Sequence, residues 1–151
     1  MKPKILLALA ALCLTGCGEK LPAHVSSEVL DTAINDGVGD PNTCVLIGKA
    51  GSGAVVHRYG THVVCALAWP VCGRSGNRTP DDLLKQVSRN PAPVAQSCKS
   101  NNSGSRTVAW AAGSVSGRPG LIYAAVMEGE NTPPGVVIAD RLQAAFRKAG
   151  L

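Results

Sequence analysis

Aromatic side chains are scarce in this sequence. It has one Phe, two Trp and two Tyr in 151 residues, which excludes a core built on large rings. Val, Leu, Ile and Ala therefore have to fill the interior. The sequence also lacks internal repeats, heptads and a second long apolar run, which excludes a solenoid, a coiled coil and a protein with several membrane spans.

The apolar residues that do form a run lie at the start of the chain. Lys2 and Lys4 precede an uncharged apolar stretch at residues 5–14. That stretch is too short to span a bilayer as a helix, and its order is typical of a secretory signal. It ends at residues 14–17, Leu-Thr-Gly-Cys, where two small residues precede a thiol.

This tetrapeptide resembles the lipobox of bacterial lipoproteins. The resemblance implies that Cys17 carries diacylglycerol on its sulfur, that the signal peptidase removes residues 1–16 and that the new amino group is acylated. Several chains make a durable anchor, because each buried methylene adds about 0.8 kcal/mol of membrane affinity. In this family an aspartate after the cysteine favours the inner membrane, so Gly18 favours the periplasmic face of the outer membrane. The alternative is an ordinary secretory signal with a chance cysteine.

Charge excludes one class of partner. Without Lys2 and Lys4, the sequence has 13 basic and 10 acidic side chains and a net charge of +3. Such a small excess does not indicate nucleic-acid binding. Residues 17–25 are predicted to form the lipidated cysteine and a short tether, and residues 26–151 fit one periplasmic domain. Only residues 18–22 resemble a flexible tether, and because they span no more than about 20 Å, we expect the domain to lie close to the membrane.

Cysteine usage agrees with an oxidising compartment. The signal removes Cys13 and the lipid occupies Cys17, which leaves an even number of thiols. These four residues are Cys44, Cys65, Cys72 and Cys98. They predict two disulfides, with three pairings open. A disulfide closing a loop of this size stabilises a fold by about 3 kcal/mol, mainly by restricting the unfolded chain.

Hydrophobic spacing and turn residues predict an α+β fold. Helices are predicted to begin near Ser26, Thr79 and Pro134. Strands are predicted at residues 43–49 and 54–59, which form a first hairpin, and at residues 106–112 and 121–127, which form a second hairpin across a turn-rich loop at residues 113–120. Residues 62–69 fit either a strand or a helix, Thr61 as an N-cap favours a helix, and residues 91–105 predict a loop. We therefore expect an antiparallel sheet of four to five strands, with an N-terminal, a middle and a C-terminal helix packed on it.

Three residues raise the question of a metal site or a nucleophile. His57 and His62 flank a turn, and Cys65 follows closely. Zinc needs three or four converging ligands, and a nucleophilic thiol has to stay unpaired where thiols oxidise. With three other cysteines as partners, the sequence favours a disulfide at Cys65 and no metal, cofactor or catalytic residue. A small hydrolase or thiol enzyme using these three residues is the alternative.

Arginines offer a candidate binding surface. Arg74, Arg78 and Arg106 lie in or beside loops that disulfides can draw together. Near a membrane such a cluster can meet lipid phosphates or an acidic partner, each exposed contact contributing about 1 kcal/mol or less. The alternative is a solvated loop with scattered charge.

The second half of the chain resembles part of an enzyme core. Residues 107–113, Thr-Val-Ala-Trp-Ala-Ala-Gly, with residues 121–128 and a closing helix, are similar to the end of a penicillin-binding or serine β-lactamase core, as is the earlier pair at residues 43–59. That chemistry needs a serine followed three residues later by lysine, which this sequence lacks. Arg106 also stands where a lysine is expected. We therefore transfer no catalytic residue from this family.

These observations predict a non-enzymatic lipoprotein. We expect a membrane-anchored domain that acts through its surface on an envelope protein, as an interaction or assembly accessory. Binding of a small apolar ligand between sheet and helix is a third alternative.

Overall fold

A computed structural model describes residues 20–151. The predicted signal at residues 1–16, Cys17 and the first tether residues lie outside this range. The helices are α1 Ser27–Val38, α2 His62–Ala66, α3 Pro80–Arg89 and α4 Gly135–Lys148. The strands are β1 Thr43–Lys49, β2 Val55–Tyr59, β3 Trp69–Pro70, β4 Asn77–Arg78, β5 Val94–Lys99, β6 Thr107–Val115 and β7 Arg118–Gly129.

A five-stranded antiparallel sheet forms the middle layer. Its strand order is β2-β1-β7-β6-β5, and β3 pairs with β4 in a separate two-stranded ladder. The expected α+β fold with an antiparallel sheet, packed helices and two disulfides is confirmed. The central strands β1, β6 and β7 are buried along most of their length, because helices cover both of their sides.

Helices α1 and α4 pack on one side of the sheet, which we call face A. Their buried side chains include Leu30, Ile34, Leu142 and Phe146. The Phe146 ring meets the Tyr123 ring edge-on, with the centroids 5.3 Å apart. Alanines on β6 and β7 allow these helices to approach the sheet closely, so aliphatic residues fill most of this core.

Helices α2 and α3 pack on the opposite side, which we call face B. Leu83, Leu84 and Val87 of α3 lie against Trp110 and the small side chains of β6 and β7. Trp110 is fully buried. Face B therefore has a shorter helical cover than face A, and residues 67–79 complete it with little regular structure.

Side-chain caps begin three of the helices as the sequence predicted. Ser26 accepts a hydrogen bond from the Val29 backbone, and Thr61 accepts one from Val64. Thr79 and Asp82 form a reciprocal capping box at α3. Each cap satisfies a backbone N–H that the first helical turn leaves free. Thr61 thus fixes residues 62–66 as helix.

Two boundaries differ from the prediction. Residues 94–99 are strand β5, not loop, because their backbone pairs with β6 at the sheet edge. Pro91 and Pro93 precede this strand instead of interrupting it. Strands β6 and β7 also extend into the predicted loop at residues 113–120 until only residues 116–117 connect them.

A β-bulge changes which residues share a face in β2. The register passes from Ile47–His57 to Gly48–Val55, so Val56 is the extra residue. Strict alternation would place Val55 beside His57, but Val55 packs toward face B and Val56 toward face A. Because Val56 is an extra residue in β2, the side chain before it, Val55, points to the opposite side of the sheet from the one that strict alternation predicts.

Candidate functional site

Both disulfides join one segment to the sheet. Cys65 of α2 is bonded to Cys44 of β1, and Cys72 is bonded to Cys98 of β5. Residues 62–78, which we call the stapled segment, contain one cysteine of each pair. The structure thus selects one of the three pairings left open by the sequence. It also gives a segment with little regular structure two fixed points.

A cavity of about 340 Å³ lies between the stapled segment, α3 and the edge strand β5. Its polar walls come from Arg74, Arg78, Gln86 and Gln96. Gln96 is the register partner of Trp110, so both side chains leave the sheet on face B. The cavity therefore combines two guanidinium groups with two carboxamides.

Arg78 is the unusual residue of this cavity. It is 7% exposed, and its Cζ atom lies 4.5 Å from the centroid of the Trp110 ring. Its Nε and Nη2 atoms are buried without a hydrogen-bond partner among residues 20–151. Burial, followed by the nearby Arg74 charge, lowers the Arg78 pKa from its usual value. A guanidinium nevertheless stays protonated in proteins.

The contacts of Arg78 leave its charge poorly compensated. Removing an ion from water costs several kcal/mol even after relaxation, whereas a desolvated cation–π contact returns about 2 kcal/mol. Acceptors usually satisfy buried donors in folded proteins. Arg78 thus holds donors in place at the cost of stability, which is typical of residues that serve a binding site.

Arg106 has the opposite environment. Its Nε and Nη2 atoms donate to the two carboxylate oxygens of Glu128 at 2.8 and 2.7 Å. Glu128 is 2% exposed and also accepts from Ser100 and Asn42. The hydrogen bonds from Arg106 lower the Glu128 pKa. The same hydrogen bonds and the negative charge of Glu128 raise the Arg106 pKa. Of the three predicted arginines, Arg74 and Arg78 share the cavity, while Arg106 is held by Glu128.

The two histidines and Cys65 do not converge. His57 faces α1, where its Nε2 atom lies 2.8 Å from Asp31 Oδ1. His62 and Cys65 border a face-B cavity of about 350 Å³, and Arg58 contacts the His62 ring. Because Cys65 is disulfide-bonded, the thiol-enzyme alternative lacks a free nucleophile in this structure.

The stapled segment also exposes apolar side chains. Val63 is 73% exposed and Leu67 is 38% exposed, and the alanines at 66 and 68 are exposed as well. The buried Cys65 joins this apolar stretch to β1 through its disulfide with Cys44, so the exposed side chains stay on the surface. An exposed apolar stretch beside a polar cavity is typical of a protein-binding surface.

A third surface surrounds the place where the described chain begins. Lys20, Lys49 and Arg118 line one cavity of about 490 Å³. The neighbouring backbone turns meet there, since Ala50 donates to Gly120 O and Gly51 donates to Ser88 O. We call this surface the tether end and define it as residues 20–25, 49–54, 88–93, 116–120 and 147–151.

The tether end contains basic side chains and no acidic one. Its bases are Lys20, Lys49, Arg89, Arg118, Arg147 and Lys148. Arg118 donates to Gly150 O, and Lys148 reaches Asp36 of α1 outside this surface. The carboxylates at Asp40, Glu128 and Glu130 instead lie around the opposite ends of β1 and β7. Arg106 and Lys99 lie at that end too, so the two ends differ because acidic side chains are present there and absent from the tether end.

Sequence reasoning identified Arg74 and Arg78 but missed the residues around them. Trp110, Gln86 and Gln96 are distant in sequence and join the cavity only through packing. The one available signal was alternation in β6, which places Trp110 on the same side as Val108 and Ala112. Because strand β5 was not predicted, nothing in the sequence indicated that Gln96 lies on the same side of the sheet as Trp110.

Within the described residues, no helix is long and apolar enough to cross a bilayer. The same part of the chain has no group of three or more His, Cys, Asp or Glu side chains arranged to hold a metal ion. No family model, curated protein or solved structure matches this chain significantly.

Proposed function

We propose that this protein is a lipoprotein anchored through Cys17 to the periplasmic face of the outer membrane, where its domain binds an envelope protein without catalysing a reaction. The observation that carries the binding role is the stapled segment. Two disulfides hold this segment, which consists of one short helix, a two-stranded ladder and irregular turns, against face B. This restraint lowers the entropy lost when a partner binds.

The composition of this surface suits a protein partner. Val63 and Leu67 provide apolar area near β1, and the Arg74–Arg78 cavity provides directional donors farther along the same segment, near β5. Apolar centres with arginine nearby are common among residues that dominate binding energy. The face-B cavities combine Arg, Gln, His and Asp side chains with apolar ones, and the charged groups suit a protein surface better than a wholly apolar ligand between sheet and helix.

The tether end supports the membrane location. Acylation at Cys17 would leave only two residues between the lipidated cysteine and Lys20, where the basic surface begins. Anionic headgroups attract each nearby Lys or Arg by about 1 kcal/mol. This end therefore suits contact with the bilayer, while the stapled segment projects from one side of the sheet.

Mass spectrometry of the native protein tests the anchor. We expect a mature chain that begins at an acylated Cys17, and Cys17→Ser should release the protein from membranes. An unmodified Cys17, or a chain that keeps residue 1, would contradict the anchor.

Crosslinking in intact cells tests the binding surface. Val63→Asp should abolish the main crosslinked complex, because it buries a charge in the proposed interface. Val136→Asp on α4 is the matched control, since Val136 is also a valine and 57% exposed. Equal losses in both variants, or no loss in either, would contradict binding through the stapled segment.

A further inference from the structure

The unpaired edge of Arg78 specifies the ligand that this cavity takes. Nε and Nη2 are the two donors on one side of a guanidinium, and both lack partners at Arg78 among the described residues. Two parallel donors of this kind match the two oxygens of a carboxylate. The missing ligand group is therefore an acceptor with two oxygens about as far apart as these two nitrogens.

The same chain shows this arrangement when it is filled. Arg106 uses Nε and Nη2 to hold both oxygens of Glu128, at 2.8 and 2.7 Å. Both arginines lie on the face-B side of the sheet, but no acidic side chain borders the Arg78 cavity. Arg78 thus has the donors of the Arg106 pair without their carboxylate.

The surroundings of Arg78 hold those donors in position. Trp110 lies against the guanidinium and is buried, and the Cys72–Cys98 disulfide fixes the cavity wall. Gln86 and Gln96 add amide groups that can donate to further oxygens of a ligand, and Arg74 adds a second charge at the entrance. The guanidinium is therefore held in place, while its Nε and Nη2 atoms are themselves buried behind the cavity wall.

We propose that the Arg78 cavity binds a carboxylate, supplied by an acidic side chain or a chain terminus of a protein partner. This inference rests on the proposed binding role and identifies the chemical group that the stapled segment recognises. A partner carboxylate would enter beside Gln96, displace the adjoining cavity wall and pair with Nε and Nη2 of Arg78, which are buried in the unliganded structure. The exposed apolar residues Val63 and Leu67 would then cover neighbouring partner surface.

The two tryptophans make this site directly measurable. Trp110 contacts Arg78, and Trp69 is the register partner of Arg78 in the β3–β4 ladder. Because the chain has only these two tryptophans, its intrinsic fluorescence reports on the cavity. We would titrate the full mature protein with glutarate at constant ionic strength, using sodium chloride and inorganic phosphate as comparison ligands.

We expect a saturable fluorescence change with glutarate and none with chloride. Arg78→Lys keeps the charge but loses the paired donors, so it should weaken glutarate binding at least tenfold. Arg141→Lys, at an exposed position on α4, is the matched control and should bind like the unaltered protein. Equal titrations for both variants, no saturation in the unaltered protein, or phosphate binding tenfold more tightly than glutarate would overturn the proposal.

A second variant keeps the proposal testable if Arg78→Lys does not fold. Gln96→Glu places a carboxylate on the cavity wall, where it should pair with Arg78, remove the glutarate response and raise the melting temperature. In ¹⁵N-labelled protein, glutarate should also shift the Arg78 Nε–H resonance. A Gln96→Glu protein that still binds glutarate normally, or an unmoved resonance, would overturn the proposal.

This test is separable from the proposed function. The titration does not depend on acylation of Cys17 or on the identity of a partner. Glutarate binding with no crosslinked complex in cells would retain the carboxylate site and contradict the protein-binding role. A Val63-dependent complex without glutarate binding would contradict the carboxylate site alone.

Discussion

The two faces of the sheet are stabilised in different ways. Face A is covered by helices of 12 and 14 residues, and neither disulfide lies there. Face B is covered by helices of 10 and 5 residues together with the irregular part of the stapled segment. Both disulfides bind that segment to the sheet. Covalent links on face B thus replace the apolar contacts that long helices make on face A.

This difference places the candidate site on the less regular face. Helices α1 and α4 each leave one valine largely exposed, Val29 and Val136, but among the described residues they carry none of the buried polar atoms that lack a hydrogen-bond partner. The stapled segment exposes Val63 and leaves Arg78 without an acceptor among the described residues. A segment held by disulfides can keep such features, because its position does not depend on burying them.

The largest expected effect is on face A. Phe146→Ala removes the largest fully buried side chain of that core and its contact with Tyr123. We expect the free energy of unfolding to fall by about 4 kcal/mol. Urea unfolding under non-reducing conditions measures this loss. Leu84→Ala on face B should cost less, and a larger loss there would reverse the comparison.

The next effect concerns the covalent part of face B. Replacing Cys72 and Cys98 together by serine opens a loop with a sequence separation of 26. The free energy of unfolding should fall by about 3 kcal/mol, and the glutarate response should weaken because the cavity wall is released. The same pair of experiments on Cys44 and Cys65 is the control, with a sequence separation of 21. It should cost similar stability but affect the glutarate response less.

The smallest effect compares the two arginines of face B. Glu128→Gln removes the charge that holds Arg106, so we expect a loss of about 2 kcal/mol at pH 7. Folding lowers the Glu128 pKa, chiefly through the Arg106 hydrogen bonds. This stabilisation is therefore complete above the unfolded-state pKa of about 4.3. It is lost as the pH falls through the lower folded-state pKa. Urea unfolding at pH 7 and pH 3 should show the difference from the unaltered protein shrinking in acid. The exposed Glu130→Gln is the control, and an equal loss in both variants would contradict this account.

Local patterns in the sequence predicted much of the fold. Thr79, Pro80 and Asp82 form a helix start that depends on residues three positions apart, and the structure confirms it. The first hairpin is also confirmed, because turn residues between two β-rich runs act locally. Strand β5 was missed because its residues are paired only on one edge and lack an alternating apolar pattern.

The candidate site was predictable only in part. Arg74 and Arg78 were identified because they lie in or beside loops that disulfides can draw together. The separation of these two arginines from Arg106 was not predicted. It depends on Glu128, which is 22 residues away from Arg106 along the chain. The bulge in β2 likewise changed the side of Val55 through pairing with β1.

The sequence by itself determined the helix starts, the first hairpin, the number of disulfide cysteines and the prediction of a lipid anchor at Cys17. These features depend on residues close together in the chain, where capping, turn formation and spacing act directly. Only the tertiary structure decided the cysteine pairing, the edge strand β5 and the burial of Arg78 over Trp110. Those features depend on groups that are distant in sequence, and the packing of both faces brings them together.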